Sequence, residues 1–197
     1  MTGGYDSNCL RSRLRVIRTE RVFRVIHRSR RSTPLKAAPT PSRFSDPREH
    51  YAVLYASSAV RCAFWETLVR NRFVRRRRRE LPRIEVETRL VVSIGSIEPL
   101  ALIDLRGDGT VRIGAPSAVT HDGNHAAGRT LSSAVHTGVP EADGFLFPSR
   151  FTGDTCVAVF DRSFDKLRLL GIDELVYHSE FLDALDDYDI VLTEAPG

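Results

Sequence analysis

Apolar and polar positions along the chain predict a series of short strands, with few helices between them. Val22, Phe23, Val25 and Ile26 suit a pleated backbone and predict a strand near Arg21 to His27, with Arg24 inside it. The segment RSRRSTPLKAAPTPS follows, and its Pro34, Pro39 and Pro41 forbid regular helix, so it reads as an ordered loop or lid. Tyr51 to Ala56 predicts the next strand. Ser57 or Ser58 then caps a helix whose Val60, Phe64, Thr67 and Leu68 recur at helical spacing, ending near Arg70 to Phe73. Ile84, Val86, Thr88 and Leu90 alternate with charged residues and run into an apolar stretch ending at Ile94, which predicts one long strand.

Leu100 to Leu105 reads as a further strand, closed by the turn Gly107, Asp108, Gly109. Asp122 or Asn124 caps a helix through His136, with Ala127, Leu131, Ala134 and Val135 on one face. GFLF and TCVAVF are two short strands joined by the loop PSRFTGD, and the chain closes with a strand near Leu167 to Leu170, a helix from about Ser179 and a DIVL strand. Strands and helices mix without βαβ regularity, so the expected fold class is α+β, in a single compact domain. Residues 1–18 read as a basic N-terminal tail and residues 19–197 as the domain proper.

Composition adds bounds. The 197 residues, 42% of them hydrophobic, make one domain with a sizeable core. No apolar run approaches the ~20 residues that span a bilayer, and the N-terminus lacks the apolar core of a signal peptide, so a cytoplasmic protein is expected. Cys9, Cys62 and Cys156 are odd in number and far apart in sequence, and offer neither a disulfide framework nor a zinc pair.

Charge is divided unevenly. Residues 1–90 hold 22 basic and 8 acidic side chains, whereas residues 91–197 hold 7 basic and 17 acidic. Arg75 through Arg79 form an unbroken basic run of the kind that attracts phosphate backbones. No aromatic residue is interleaved to stack bases, which favours a solvated connection over a nucleic-acid site. The oppositely charged halves also allow attraction across a homo-oligomer or to an acidic partner.

The candidate chemistry sits between Arg24 and Glu66. Two guanidiniums able to grip a diphosphate, Arg24 and Arg43, one ring, Tyr55, and one carboxylate, Glu66, suffice to handle a dinucleotide at its nicotinamide ribose. On an ideal helix Glu66 lies about 60° around from Ala63, beside the apolar stripe and only partly solvated. Arg24 needs a partner in an apolar strand, and an ion pair with Glu66 or an edge-strand position would account for it equally. His121 and His125 have the spacing of two metal ligands, but no HExxH glutamate or third ligand accompanies them, so no metal is expected. GDG and GNHAAGR lack the lysine and the Ser or Thr of a P-loop, and GFLFPS is no nucleophile elbow for Ser149. Ser149 remains able to hydrogen-bond a ligand from its loop.

Taken in order, VFRV, SRFS, VLYAS, the helix bearing Glu66, and GFLFPSR before an apolar strand resemble the RES domain family over roughly Arg21 to Asp161. The resemblance implies a fold like that of the ADP-ribosyltransferase toxins and cleavage of the nicotinamide–ribose bond of NAD⁺, which is substrate and not cofactor. It implies Arg24 and Arg43 as dinucleotide clamps, Tyr55 at the nicotinamide or ribose, Glu66 as the catalytic carboxylate with Arg43 beside it, and Ser149 as a site residue. Where many relatives carry a Ser-Thr-Gln-like segment, this chain has HDGNHAAG, so Asn124 or His125 would supply that contact. Water (a glycohydrolase), inorganic phosphate as co-substrate (a phosphorylase) and a protein side chain (a mono-ADP-ribosyltransferase) all stay open as acceptors. An Xre-type antitoxin is the implied partner, and nucleic acid is expected only through it. A basic nucleic-acid-binding module and a catalytically inactive relative are the competing readings.

Overall fold

The computed structural model describes residues 4–46 and 48–194. Its strands are β1 (Leu14–Ile17), β2 (Val22–His27), β3 (Val53–Ser57), β4 (Arg79–Pro82), β5 (Arg89–Ser96), β6 (Leu100–Asp104), β7 (Gly144–Pro148), β8 (Thr155–Phe160), β9 (Leu167–Glu174) and β10 (Ile190–Thr193). Between them lie α1 (Ser7–Ser12), α2 (Val60–Phe64), α3 (Arg83–Glu87), α4 (Gly109–Arg112), α5 (Ala118–His121), α6 (Ala126–Gly138) and α7 (Ser179–Asp187). The class is α+β, as the irregular alternation of elements implies. Eight strands form one sheet in the order β1-β6-β7-β8-β3-β2-β5-β9, antiparallel except for the β6–β7 pair, while β10 and β4 pair in parallel beside it.

Strand periodicity divides the core. Leu54, Ala56, Leu90, Val92, Leu102, Leu146, Val157 and Val159 come from five different strands and meet one another on one face, so the sheet curls around its own apolar side. The other face carries two helical layers. Phe44, Phe145, Phe147 and Ala158 pack with Leu131 and Val135 of α6, whereas Val25 and Val91 pack with Phe64, Val86 and Phe181 of α2, α3 and α7. Strands β2 and β3 share only the pair Phe23↔Ser57, and the sheet parts there.

Two expectations need correction. Residues 7–17 are not a tail: they form α1 and β1, with Leu10 fully buried and β1 paired to β6 from Leu14↔Ile103 to Ile17↔Leu100. Residues 84–88 are not the start of a strand. They belong mostly to α3, which follows Pro82, buries Val86 and leaves Ile84 exposed. Val86 and Leu90 are four residues apart, so the apolar pattern also fitted a helical turn, and a short segment cannot distinguish the two periods.

The charge asymmetry is met inside the chain. Arg11–Glu141, Arg28–Glu174, Arg31–Glu174, Arg61–Asp154 and Arg83–Glu194 each pair a first-half arginine with a second-half carboxylate. These pairs are mostly at the surface and individually worth little, and they account for part of the apparent imbalance. Arg75 through Arg78 lie exposed, while Arg79 opens β4 and donates to the Tyr188 carbonyl. No helix among the described residues is long and apolar enough to cross a membrane.

Candidate active site

A cleft of about 420 Å³ opens where β2 and β3 part. Such a volume lies within the range of small-molecule sites. One wall is the helix after β3. Its first backbone N–H groups find no cap in Ser57 or Ser58; the Val60 N–H donates instead to the Glu180 carboxylate of α7 at 2.8 Å. From Trp65 to Val69 the helix widens into a π-turn, closed by the Arg70 N–H on the Trp65 carbonyl at 2.7 Å. Across this wider turn Thr67 is exposed although it lies seven residues after buried Val60, whereas Val69 is buried. Glu66 lies in this turn and lines the cleft.

The Glu66 carboxylate is held. Ser149 Oγ donates to Glu66 Oε1 at 2.8 Å, and the same Oγ accepts from the Phe151 and Thr152 N–H groups at 3.2 and 3.4 Å. The loop that presents Ser149 is fastened to α2 through the Arg61–Asp154 pair. Ser149 therefore reaches the site through Glu66.

The proline-rich loop forms the opposite rim, and Arg24 ties it down. Its Nη1 donates to the carbonyls of Pro34 and Lys36 at 3.3 and 3.1 Å. No ion pair joins Arg24 to Glu66 among the described residues; β2 pairs with β3 only at Phe23↔Ser57, so Arg24 stands where that side of the strand is open to the cleft, as the edge-strand account expects. Burial, and secondarily the charge of Arg30, lower the Arg24 pKa to about 10, which leaves it charged at neutral pH.

Arg43 is buried, and its Nη1 donates to the Val119 carbonyl of α5 at 3.0 Å. Burial, then repulsion from Arg150, lower its pKa, while Glu66 acts in the opposite sense. Gly128 of α6 lies against it: a Cβ there would be 2.4 Å from the Arg43 carbonyl oxygen, so only glycine allows the helix this close. Tyr55 fixes the same turn, its hydroxyl accepting from the Phe44 N–H at 2.8 Å and bonding Ser42 Oγ at 2.9 Å. Burial raises the tyrosine pKa to about 12, so it remains a neutral phenol.

His125 also lines the cleft. Burial and the surrounding Arg43, Arg129, Arg150 and Arg70 lower its pKa and favour neutral imidazole. His121 is exposed and bonds Thr120 Oγ1 through Nδ1 at 2.8 Å. Asn124 is exposed, and its Oδ1 accepts the Ala126 N–H at the start of α6. Of the two candidates in HDGNHAAG, His125 is the one in the cleft.

The cleft thus brings together Arg24, Arg43, Tyr55, Glu66 and His125, with Ser149 bonded to Glu66 from behind. Sequence reasoning passed over Arg70, Asn71, Arg150 and Phe151, which complete the lining. Arg150 and Phe151 stood next to Ser149 in PSRFTGD and were legible by adjacency. Arg70 had no such signal: it ends the π-turn with φ 45° and donates Nε to the Glu66 carbonyl at 2.7 Å. Cys62 and Cys156, remote in sequence, place their sulfurs 3.6 Å apart beneath the cleft as free thiols. Among the described residues Glu66 is the only carboxylate in the lining, against Arg24, Arg43, Arg70 and Arg150.

The family model for the RES domain matches residues 21–181. The chain belongs to the RES domain family. A protein of Sinorhizobium fredii (strain NBRC 101917 / NGR234) named "Probable toxin y4kH" is 33% identical over 103 residues, covering 50% of this chain and 81% of the relative. Among solved structures, a chain of the M. tuberculosis MbcT-MbcA toxin-antitoxin complex matches with a TM-score of 0.66 at 14% identity, over 86% of this chain and 91% of that one. At that identity the likeness concerns the fold. The RES domain here accordingly includes the parted sheet, the π-turn and the arginine-lined cleft.

Proposed function

We propose that this RES domain is the toxin of a toxin–antitoxin pair and cleaves the nicotinamide–ribose bond of NAD⁺. The observation that carries the reading is one hydrogen-bonded carboxylate, Glu66, in a cleft whose other charged lining residues are all arginine. That charge arrangement suits a ligand with a diphosphate and one reacting sugar. Arg43 and Arg24 hold the diphosphate side, and Tyr55 and Phe147 offer apolar ring surface to the nicotinamide end.

The chemistry asks little of the protein. As the C1′–N bond breaks, its electron pair returns to the pyridine nitrogen and nicotinamide leaves neutral, so no general acid is needed. Positive charge develops on the ribose, as in glycoside hydrolysis. Glu66 accepts the 2′-hydroxyl hydrogen bond, which strengthens as that charge grows, and Ser149 keeps the carboxylate aimed. Fixing the diphosphate restricts the sugar to productive geometry. An oxygen nucleophile then bonds to C1′. Water would give ADP-ribose and a proton, and inorganic phosphate would give ADP-ribose 1″-phosphate.

An antitoxin partner is part of the proposal. The Sinorhizobium relative is named a toxin, and the structural neighbour is a chain of a toxin–antitoxin complex. An enzyme that destroys NAD⁺ requires restraint in its own cell, and a partner covering the cleft would supply it. The test is product analysis after incubating the purified chain with NAD⁺ in buffer with and without millimolar phosphate. Nicotinamide accompanied by ADP-ribose 1″-phosphate or by ADP-ribose supports the reading and identifies the acceptor. Label transferred to protein in a cell extract, with no release by the purified chain, would instead show an ADP-ribosyltransferase.

A further inference from the structure

The proposed reaction gives no task to two cleft arginines, Arg70 and Arg150; Arg70 Nε already donates to the Glu66 carbonyl, whereas Arg150 is not committed in this way. Arg150 follows Ser149 in the loop between β7 and β8 and is half-buried in the lining. Its guanidinium carbon lies 4.5 Å from the centroid of the Phe151 ring. Phe151 in turn stacks on Trp65, the residue before Glu66, at 6.4 Å and 29°. A guanidinium resting on a ring is held in place while its in-plane N–H donors stay free. Those donors are hardly used: the hydrogen bond Arg150 makes among the described residues is a long one, 3.5 Å to Asn71 Oδ1.

Space and charge around Arg150 both favour an anion. On the neighbouring loop, a Cβ on Gly123 would lie 3.3 Å from Arg150 Nη1, so the absence of a side chain there lets the guanidinium lie against that loop. Glu66 and the two charges of a dinucleotide diphosphate together match only three of the four arginines in the lining. An unmatched guanidinium, half out of water and repelled by Arg43, gains most from a phosphoryl oxygen. We propose that Arg150 is a further substrate-binding residue, whose stacked guanidinium takes a phosphoryl oxygen, of the dinucleotide or of free phosphate, between Asn71 and Gly123. This assignment rests on the nucleotide reading of the cleft.

The test is calorimetric titration of the full chain carrying Glu66→Gln, which keeps NAD⁺ intact, with NAD⁺ and separately with inorganic phosphate. Adding Arg150→Gln is expected to weaken at least one of them about tenfold or more and to flatten its salt dependence, with an unchanged melting temperature. Arg150→Lys, which keeps the charge but loses the planar fork, should fall between and serves if the glutamine variant folds poorly. Weakening of NAD⁺ alone places the oxygen on the diphosphate, and weakening of phosphate alone places it on the free anion. Dissociation constants for both within twofold of the parent would overturn the Arg150 assignment and leave the nucleotide reading standing. A parent chain that binds neither ligand would overturn both.

Discussion

Ser149→Ala removes one hydroxyl and tests whether the aim of Glu66 matters. The lost contact is the 2.8 Å bond from Ser149 Oγ to Glu66 Oε1. A hydrogen bond to a charged group contributes about 1.5–3 kcal/mol, and each 1.36 kcal/mol in the barrier is tenfold in rate. If the bond acts mainly by holding the carboxylate at the ribose, kcat for nicotinamide release should fall by about ten- to a hundred-fold, with little change in KM. Stability should change less, because the Phe151 and Thr152 N–H groups that lose their acceptor bond it at only 3.2 and 3.4 Å and sit in a loop. A loss of about 1 kcal/mol lowers the melting temperature by about 2–4 °C for a chain of this size. The decisive assay is a double-mutant cycle. In a Glu66→Ala background, Ser149→Ala should cost almost nothing further, because its effect passes through the carboxylate. Full activity in the single variant, or equal losses with and without Glu66, would refute the positioning role.

Other outcomes follow from the same geometry. Gly128→Ala forces a methyl to within 2.4 Å of the Arg43 carbonyl oxygen, so calorimetry should show a loss of about 1–3 kcal/mol, accompanied by reduced activity as the Arg43 turn shifts. His125 has its pKa lowered by burial and nearby arginines; bound phosphate charge offsets those arginines and should raise it, seen by NMR titration with ADP-ribose. By linkage, affinity then strengthens as pH falls through the window between the free and bound values, and affinity independent of pH there would contradict it. Replacing Arg75 through Arg78 with Ser and Gln should leave nicotinamide release within a few-fold, since all four are exposed and outside the cleft lining. Salt-sensitive duplex binding that disappears in that variant would favour a nucleic-acid role for the run.

Much of the fold was legible because most of its strands are strongly patterned. Val22–His27, Val53–Ser57, Gly144–Pro148 and Thr155–Phe160, the strands on which the cleft is built, follow from β-branched and aromatic content and nearby turn residues. Strand β1 was hidden by its arginines: on an edge, Val16 and Arg15 both face water, so composition suggested a tail. The π-turn was illegible, because no residue type marks it and regular helical spacing predicts a different buried face. Arg24, Arg43, Tyr55 and Glu66 were readable as charged or aromatic residues in unusual apolar or proline-bounded settings. Arg150 was legible only through its place beside Ser149, and Arg70 was not legible at all, because surface arginines are common and tertiary structure alone shows that it lines the cleft. The sulfur contact between Cys62 and Cys156 depends likewise on α2 lying over β8.

The central claim is that Glu66 drives cleavage of the nicotinamide–ribose bond. The most direct measurement is the rate of free nicotinamide formation from NAD⁺ by the purified chain and by Glu66→Gln, whose fold is verified by its melting curve. Glutamine keeps the size and hydrogen-bonding capacity but removes the charge, so the account predicts steady release by the parent and a fall of about a hundred-fold or more in the variant. A folded Glu66→Gln chain that releases nicotinamide at the parent rate would contradict it, as would a parent chain that releases none with water, phosphate or protein available as acceptor.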